Sequence, residues 1–148
     1  MRYANERLGL FSVLAALVVA AGACGGSSTT TSPTATTPTL STDTFTGSIG
    51  QNATAVHTFT VGTSGYTLLV GYTSLGPSSV TALGIGVAAW DSATSTCGLN
   101  VTQNDSARSG STALSGTANA GAYCLRVYDG ANIGTDVTAS YSVQVQHY

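Results

Sequence analysis

Between Thr42 and Tyr148, apolar and polar residues alternate with a period of two in short runs, the pattern of strands that bury one face. Thr44–Ile49 sets Phe45 between threonines. Val56–Val61 places His57, Phe59 and Val61 on one face and Val56, Thr58 and Thr60 on the other. Tyr66–Tyr72 reads YTLLVGY. In Ala82–Trp90, Leu83, Ile85, Val87 and Ala89 share a face, as do Tyr123, Leu125 and Val127 in Ala122–Tyr128. Ala139–His147 aligns Tyr141, Val143, Val145 and His147 opposite Ser142, Gln144 and Gln146. Leu99–Thr102 and Thr112–Ser115 are weaker candidates. Turn residues separate the runs at Gly62–Gly65, Gly76-Pro77, Asp91–Thr94, Asn104-Asp105-Ser106, Asn119–Gly121 and Asp129-Gly130. About eight short strands with frequent turns predict an all-β domain, an antiparallel sandwich or jelly roll. No stretch of the domain carries helical periodicity, which argues against a parallel βαβ sheet.

The residues before this domain have a different pattern. Leu8–Ala23 runs sixteen residues without a charge behind Arg2 and Arg7. That is short of the ~20 apolar residues that span a bilayer. Its N-terminal place and small-residue end fit a secretory signal. Ala21-Gly22-Ala23-Cys24 resembles the lipobox of bacterial lipoproteins, with Ala21 where Leu is usual. The resemblance implies a leader over residues 1–23, cleavage before Cys24, and acylation of that cysteine. It also implies anchoring in the cell envelope, with Gly25 favouring the outer membrane or cell surface. Several acyl chains hold a protein stably where one does not. Residues 24–41 then form a tether rich in Ser, Thr and Pro, with Pro33 and Pro38 but no charge or aromatic. Such a segment buries too little apolar surface to offset the entropy of ordering. Its composition also resembles O-glycosylated stalks. The β-domain occupies residues 42–148.

Composition narrows the partners. The chain has 148 residues, 4 Lys+Arg and 6 Asp+Glu, with no Lys at all and Glu6 as its one Glu. After cleavage Arg108 and Arg126 face five aspartates, a formal −3. That balance lacks the basic footprint for nucleic acid. With 24 Thr and 18 Ser, outward strand positions are filled by hydroxyls, which suits an exposed pleated face. Cys97 and Cys124 remain after lipidation. In an oxidising compartment an even pair predicts one disulfide, closing a loop of roughly 26 residues and worth ~3 kcal/mol.

Three segments carry a family resemblance. They are Phe45–Ile49 with His57-Thr-Phe-Thr-Val61, the Cys97 strand, and Gly121–Gly130 with the closing Tyr141–His147 run. Together they resemble bacterial domains related to the pre-peptidase C-terminal (PPC) family, small β-sandwiches that accompany secreted proteases. Residues 42–148 therefore look PPC-like. With no protease attached, the resemblance implies a free-standing lipoprotein.

Catalytic patterns are scarce. No Ser has Gly at both −2 and +2, and there is no H-E-x-x-H, C-x-x-C or phosphate loop. His57 and His147 share the parity of the apolar residues in their strands. The plain expectation is that each caps the core; the sharper one, a metal-ligand pair, lacks a third ligand. Asp91, Asp105, Asp129 and Asp136 are the candidate Ca²⁺ ligands. Ca²⁺ needs 6–8 oxygens, many of which loop carbonyls can supply. The same four also make an ordinary loop inventory, so the expected cofactor is none. Trp90 and Tyr128, with Tyr66, Tyr72 and Tyr148, are candidates for a sugar-stacking platform, or else complete the core.

The resulting expectation is a non-catalytic envelope lipoprotein that displays a binding or adhesion module for a glycan or an envelope protein. The alternative is a structural subunit that self-associates through an open strand edge. A hydrolase or hydrolase accessory comes third, and would need a polar pocket around His57 or His147.

Overall fold

The alternating runs become strands in the computed structural model, which describes residues 37–148; the leader, Cys24 and the tether up to residue 36 lie outside the described residues. In chain order the strands are β1 (Ser41–Ile49), β2 (Thr54–Val61), β3 (Tyr66–Gly76), β4 (Leu83–Asp91), β5 (Thr96–Cys97), β6 (Thr102–Ala107), β7 (Thr112–Ala118), β8 (Gly121–Tyr128) and β9 (Ala139–His147). They build two antiparallel sheets. One has the order β1-β9-β3-β7. The other runs β2-β8-β4 and is extended past β4 by β6 along Leu83–Val87 and by β5 at Trp90–Asp91. The expected all-β sandwich is the fold.

The inward parity is the one the alternation predicts. Phe59 and Val61 of β2, Leu83, Ile85 and Val87 of β4, Leu125 and Val127 of β8, and Tyr141, Val143 and Val145 of β9 are all buried in one core between the sheets. Cys97 and Cys124 form a disulfide that ties β5 to β8.

Two local expectations fail, and both failures lie near the β5–β6 edge. Leu99–Thr102 is mostly the β5–β6 loop and only Thr102 belongs to a strand, because Leu99 and Val101 point into solvent. Asn104-Asp105-Ser106 lies inside β6 and is not a turn. Asn104 turns its amide to the Ala113 carbonyl (3.3 Å) and its Oδ1 accepts the Ser106 N–H (3.0 Å). The β4–β6 register shifts between Leu83 and Ile85, beside it. Its polar side chain therefore serves a strand irregularity.

The sandwich has two unlike sides and two poles. On the β1/β2 side, Phe45 stacks on His57, whose other neighbour is Tyr141, so aromatic rings close the gap between the sheets. On the β7/β6 side, among the described residues, β7 pairs with β3 alone. At one pole the β1–β2 turn meets the β8–β9 loop through Asp129, whose N–H donates to the Ala53 carbonyl (3.1 Å). At the other, Ser41 pairs with His147, and Gly62 and Thr63 N–H groups donate to the Tyr148 carbonyl (2.9 Å each).

Candidate functional site

The outer face of the β2-β8-β4 sheet holds a trough made by missing side chains. Gly84, Gly86 and Ala88 of β4 point outward, yet all three are buried. A Cβ on Gly84 would stand 2.2 Å from Cε2 of Tyr128, and one on Gly86 2.5 Å from Nδ2 of Asn100. Glycine is required there because the Tyr128 ring and the Asn100 amide lie directly on the backbone. Cys124 packs beside Ala88, so the disulfide covers the third small position.

Along this trough runs an open groove of about 570 Å³, walled by the β1–β2 turn and the start of β2 on one side and by Asn100, Gln103 and Asp105 on the other. Arg126 and Tyr128 form its floor, with Asp129 at its end. Arg126 Nη2 donates to the Cys97 carbonyl at 2.7 Å, which fixes the guanidinium and ties it to the disulfide. The Tyr128 hydroxyl donates to Asp105 Oδ1. Burial, then this bond and the nearby carboxylate charge, push the Tyr128 phenol up to about 12. Asp129 accepts N–H groups from Asn52 (2.9 Å), Asn132 (2.8 Å) and Ile133 (3.0 Å). The Asn52 amide, followed by the loop amides, holds the Asp129 carboxyl below the usual carboxylate range. Asn52 and Ala131, on either side of this clamp, have φ of 57° and 63°, conformations that the turns around Asp129 impose. Asn100 Nδ2 donates to Gln103 Oε1 at 3.0 Å, completing a wall of amides.

The sequence candidates divide across the domain. Asp105 and Asp129 share the groove. Asp136 lies outside its lining, in the β8–β9 loop at φ 62°. Asp91 closes its own turn at the far end of β4. It accepts the Thr94 hydroxyl (2.8 Å) and the Ala93 amide (2.9 Å), which depress its pKa in that order. Among the described residues no three His, Cys, Asp or Glu side chains gather as a metal site. Trp90 and Tyr128 share the outer face but stand at opposite ends of β4, six residues or about 20 Å apart. They are not one platform. Tyr72 is 2% exposed and donates to the Gly84 carbonyl (3.0 Å) from inside, so it belongs to the core. Tyr66 pairs with Tyr148 at the opposite pole (centroids 4.9 Å).

The histidines face inward. His57 Nε2 and the Tyr141 hydroxyl share a hydrogen bond of 2.8 Å, and burial lowers the imidazole pKa. His147 Nε2 meets Asp43 Oδ2 at 3.0 Å. Among the described residues, neither ring bonds a serine, threonine or cysteine. No local spacing in the sequence marks Asn52, Asn100, Gln103 or Arg126. The available signal was the outward Gly-x-Gly-x-Ala of β4, since an outward glycine pair asks what lies on it.

No protein-family model matches the chain, and no curated protein matches it. A solved structure does resemble it. That structure is PliG of Aeromonas hydrophila, a periplasmic lysozyme inhibitor of g-type lysozyme. The two are 20% identical with a TM-score of 0.48, over 70% of this chain and 83% of that one.

Proposed function

We propose that this protein is a non-catalytic cell-envelope module, lipid-anchored through Cys24, that binds glycan in the outer groove of the β2-β8-β4 sheet. The anchoring rests on the lipobox-like Ala21–Cys24, and the PPC-like reading of residues 42–148 is part of the same proposal. The observation that carries the ligand class is the set held on the β4 trough. A fixed guanidinium (Arg126), a half-buried phenol ring (Tyr128), a carboxylate (Asp105) and two amides (Asn100, Gln103) line one groove. Sugar hydroxyls donate and accept at once, and planar amide, carboxylate and guanidinium groups supply paired partners of both kinds. A ring face offers the apolar surface that sugar C–H groups need. Neither histidine faces this groove, and the inward contacts of both are used for packing.

A glycan array followed by calorimetry on the best hit tests the reading. Arg126→Ala and the exposed Gln103→Ala are the variants. At least a tenfold loss of affinity, about 1.4 kcal/mol, with an unchanged fold by circular dichroism is the expected result. An array without hits, or a hit that both variants bind unchanged, refutes the glycan groove.

A further inference from the structure

The β7/β6 side of the sandwich is open where the β1/β2 side is closed by rings. β7 ends its sheet, and its seven residues, TALSGTA, include no charge and no proline to discourage pairing. Behind it the sheets part over a slot of about 450 Å³, walled by Leu68, Val87, Leu114 and Tyr123. The slot exists because Gly116 faces into it: a Cβ there would meet nothing within 4 Å. On the opposite lip the β5–β6 loop runs along β4, with the Gly98 N–H on the Ala89 carbonyl (3.0 Å) and the Val101 N–H on the Val87 carbonyl (2.8 Å). That loop carries Leu99, 90% exposed, and Val101, 74% exposed. An uncharged edge, bonded across the sandwich among the described residues only where Ala113 accepts the Asn104 amide, an apolar slot and the loop carrying the exposed Leu99 and Val101 thus share one side. The β1/β2 side, in contrast, is closed by rings and carries Asp43.

We infer that this side docks a second copy of the chain, with β7 pairing antiparallel to β7 about a two-fold axis at Ser115. The edge is complementary to itself. In that register Ser115 meets Ser115 of the other copy, and Leu114 lies opposite Gly116 of the other copy, twice. The large inward side chain of each copy therefore stands beside the empty position of its mate. Charge agrees. An isologous contact sets like against like at its axis, which only an uncharged centre tolerates. The charged residues at the two ends of this side are Arg108, before β7, and Asp91, beside β5; antiparallel pairing turns the Arg108 end of one copy toward the Asp91 end of the other. A seven-residue strand is about 24 Å long and the sandwich side about 20 Å deep, so the contact buries roughly 1,000 Å² in total. That is the lower limit for a specific interface, and a weak dimer is the expectation.

Sedimentation velocity tests this on residues 24–148 carrying Cys24→Ser, so that neither the apolar leader nor a lipid drives association. Between about 10 μM and about 1 mM the weight-average mass should climb from monomer toward dimer. Ser115→Lys and Ser115→Asp each set like charges opposite one another at the axis and should each weaken association at least tenfold, about 1.4 kcal/mol. An equal mixture of the two should restore it, since Lys then faces Asp. Ser115 is exposed, so both variants should melt like the natural chain, which separates a lost dimer from a lost fold. A natural chain that stays monomeric to about 1 mM, a dimer untouched by Ser115→Lys, or a mixture that fails to recover overturns the inference.

Discussion

Removing the Cys97–Cys124 bridge by Cys97→Ala with Cys124→Ala tests what closes the β5 end of the domain. The bridge spans 27 residues. On the chain-entropy account a loop of that size restricts the unfolded chain by about 3.5 kcal/mol at 25 °C. Unfolding entropy near 2.1 cal/mol/K per residue, over a domain of roughly 110 residues, converts 1 kcal/mol to about 4 °C of Tm. The double variant should therefore melt about 15 °C lower than the oxidised protein. The loss should also be uneven. β5 pairs with only Trp90 and Asp91, and Arg126 holds the Cys97 carbonyl by one hydrogen bond, so the Thr96–Val101 stretch depends on the bridge more than the core does. Hydrogen exchange should accelerate first at the amides of Gly98 and Val101, ahead of those in β9. Calorimetry with exchange measured by mass spectrometry reads both effects. A Tm drop under about 4 °C, or exchange at Gly98 and Val101 no faster than in β9, refutes the reasoning.

Other perturbations follow from the same contacts. Burial holds the His57 pKa below its ordinary 6.5, so just under that pH the unfolded chain binds the extra proton and the folded one does not. Stability should fall as pH drops from about 7 to about 5, and His57→Gln, which still offers Tyr141 a partner, should flatten that slope in melts run across the range. Gly84→Ala drives a Cβ into the Tyr128 ring and should cost about 1–3 kcal/mol. In the same variant the Tyr128 phenol, brought out of its burial and freed from Asp105, should titrate nearer 10 than 12 by ultraviolet absorbance; an unchanged titration would show the ring had not moved. Gly130→Ala would place a Cβ 2.0 Å from the Asp105 carbonyl oxygen, a backbone atom that cannot swing away. It should destabilise more than Gly84→Ala in denaturant melts, and a neutral result would contradict the packing of the β8–β9 loop against β6.

The two-residue period made β2, β4, β8 and β9 legible because each buries one face continuously, so Leu83-Ile85-Val87 or Tyr141-Val143-Val145 report the core directly. β6 escaped the same reading. It is an edge strand, polar on both faces, and the inward polarity of Asn104 is satisfied by the Ala113 carbonyl and the Ser106 amide. Leu99 and Val101 misled in the opposite sense, since an alternating apolar pair suggested a strand where an exposed lip was built. Part of the groove is readable: Tyr128, Asp105 and Asp129 stand out as an aromatic and two acids among turn residues. Asn52, Asn100, Gln103 and Arg126 do not, because their convergence depends on the β2–β8–β4 register and on the β5–β6 loop folding back over Gly86. No local spacing encodes those placements. Trp90 and Tyr128 share a parity, but only the register reveals that a full strand length separates them.

The pairing of β1 with β9 has a mechanical consequence. The chain enters the domain at Ser41, opposite His147, while the groove lies toward the other pole, where Ile49 meets Ala139 and the β1–β2 turn reaches Asp129. A pull between a ligand in the groove and the segment before Ser41 therefore runs lengthwise along β1. Antiparallel hydrogen bonds stand perpendicular to their strands. Such a load shears the nine paired positions of the β1–β9 ladder together instead of peeling them one at a time, and the first strand of the sandwich acts as its tension member.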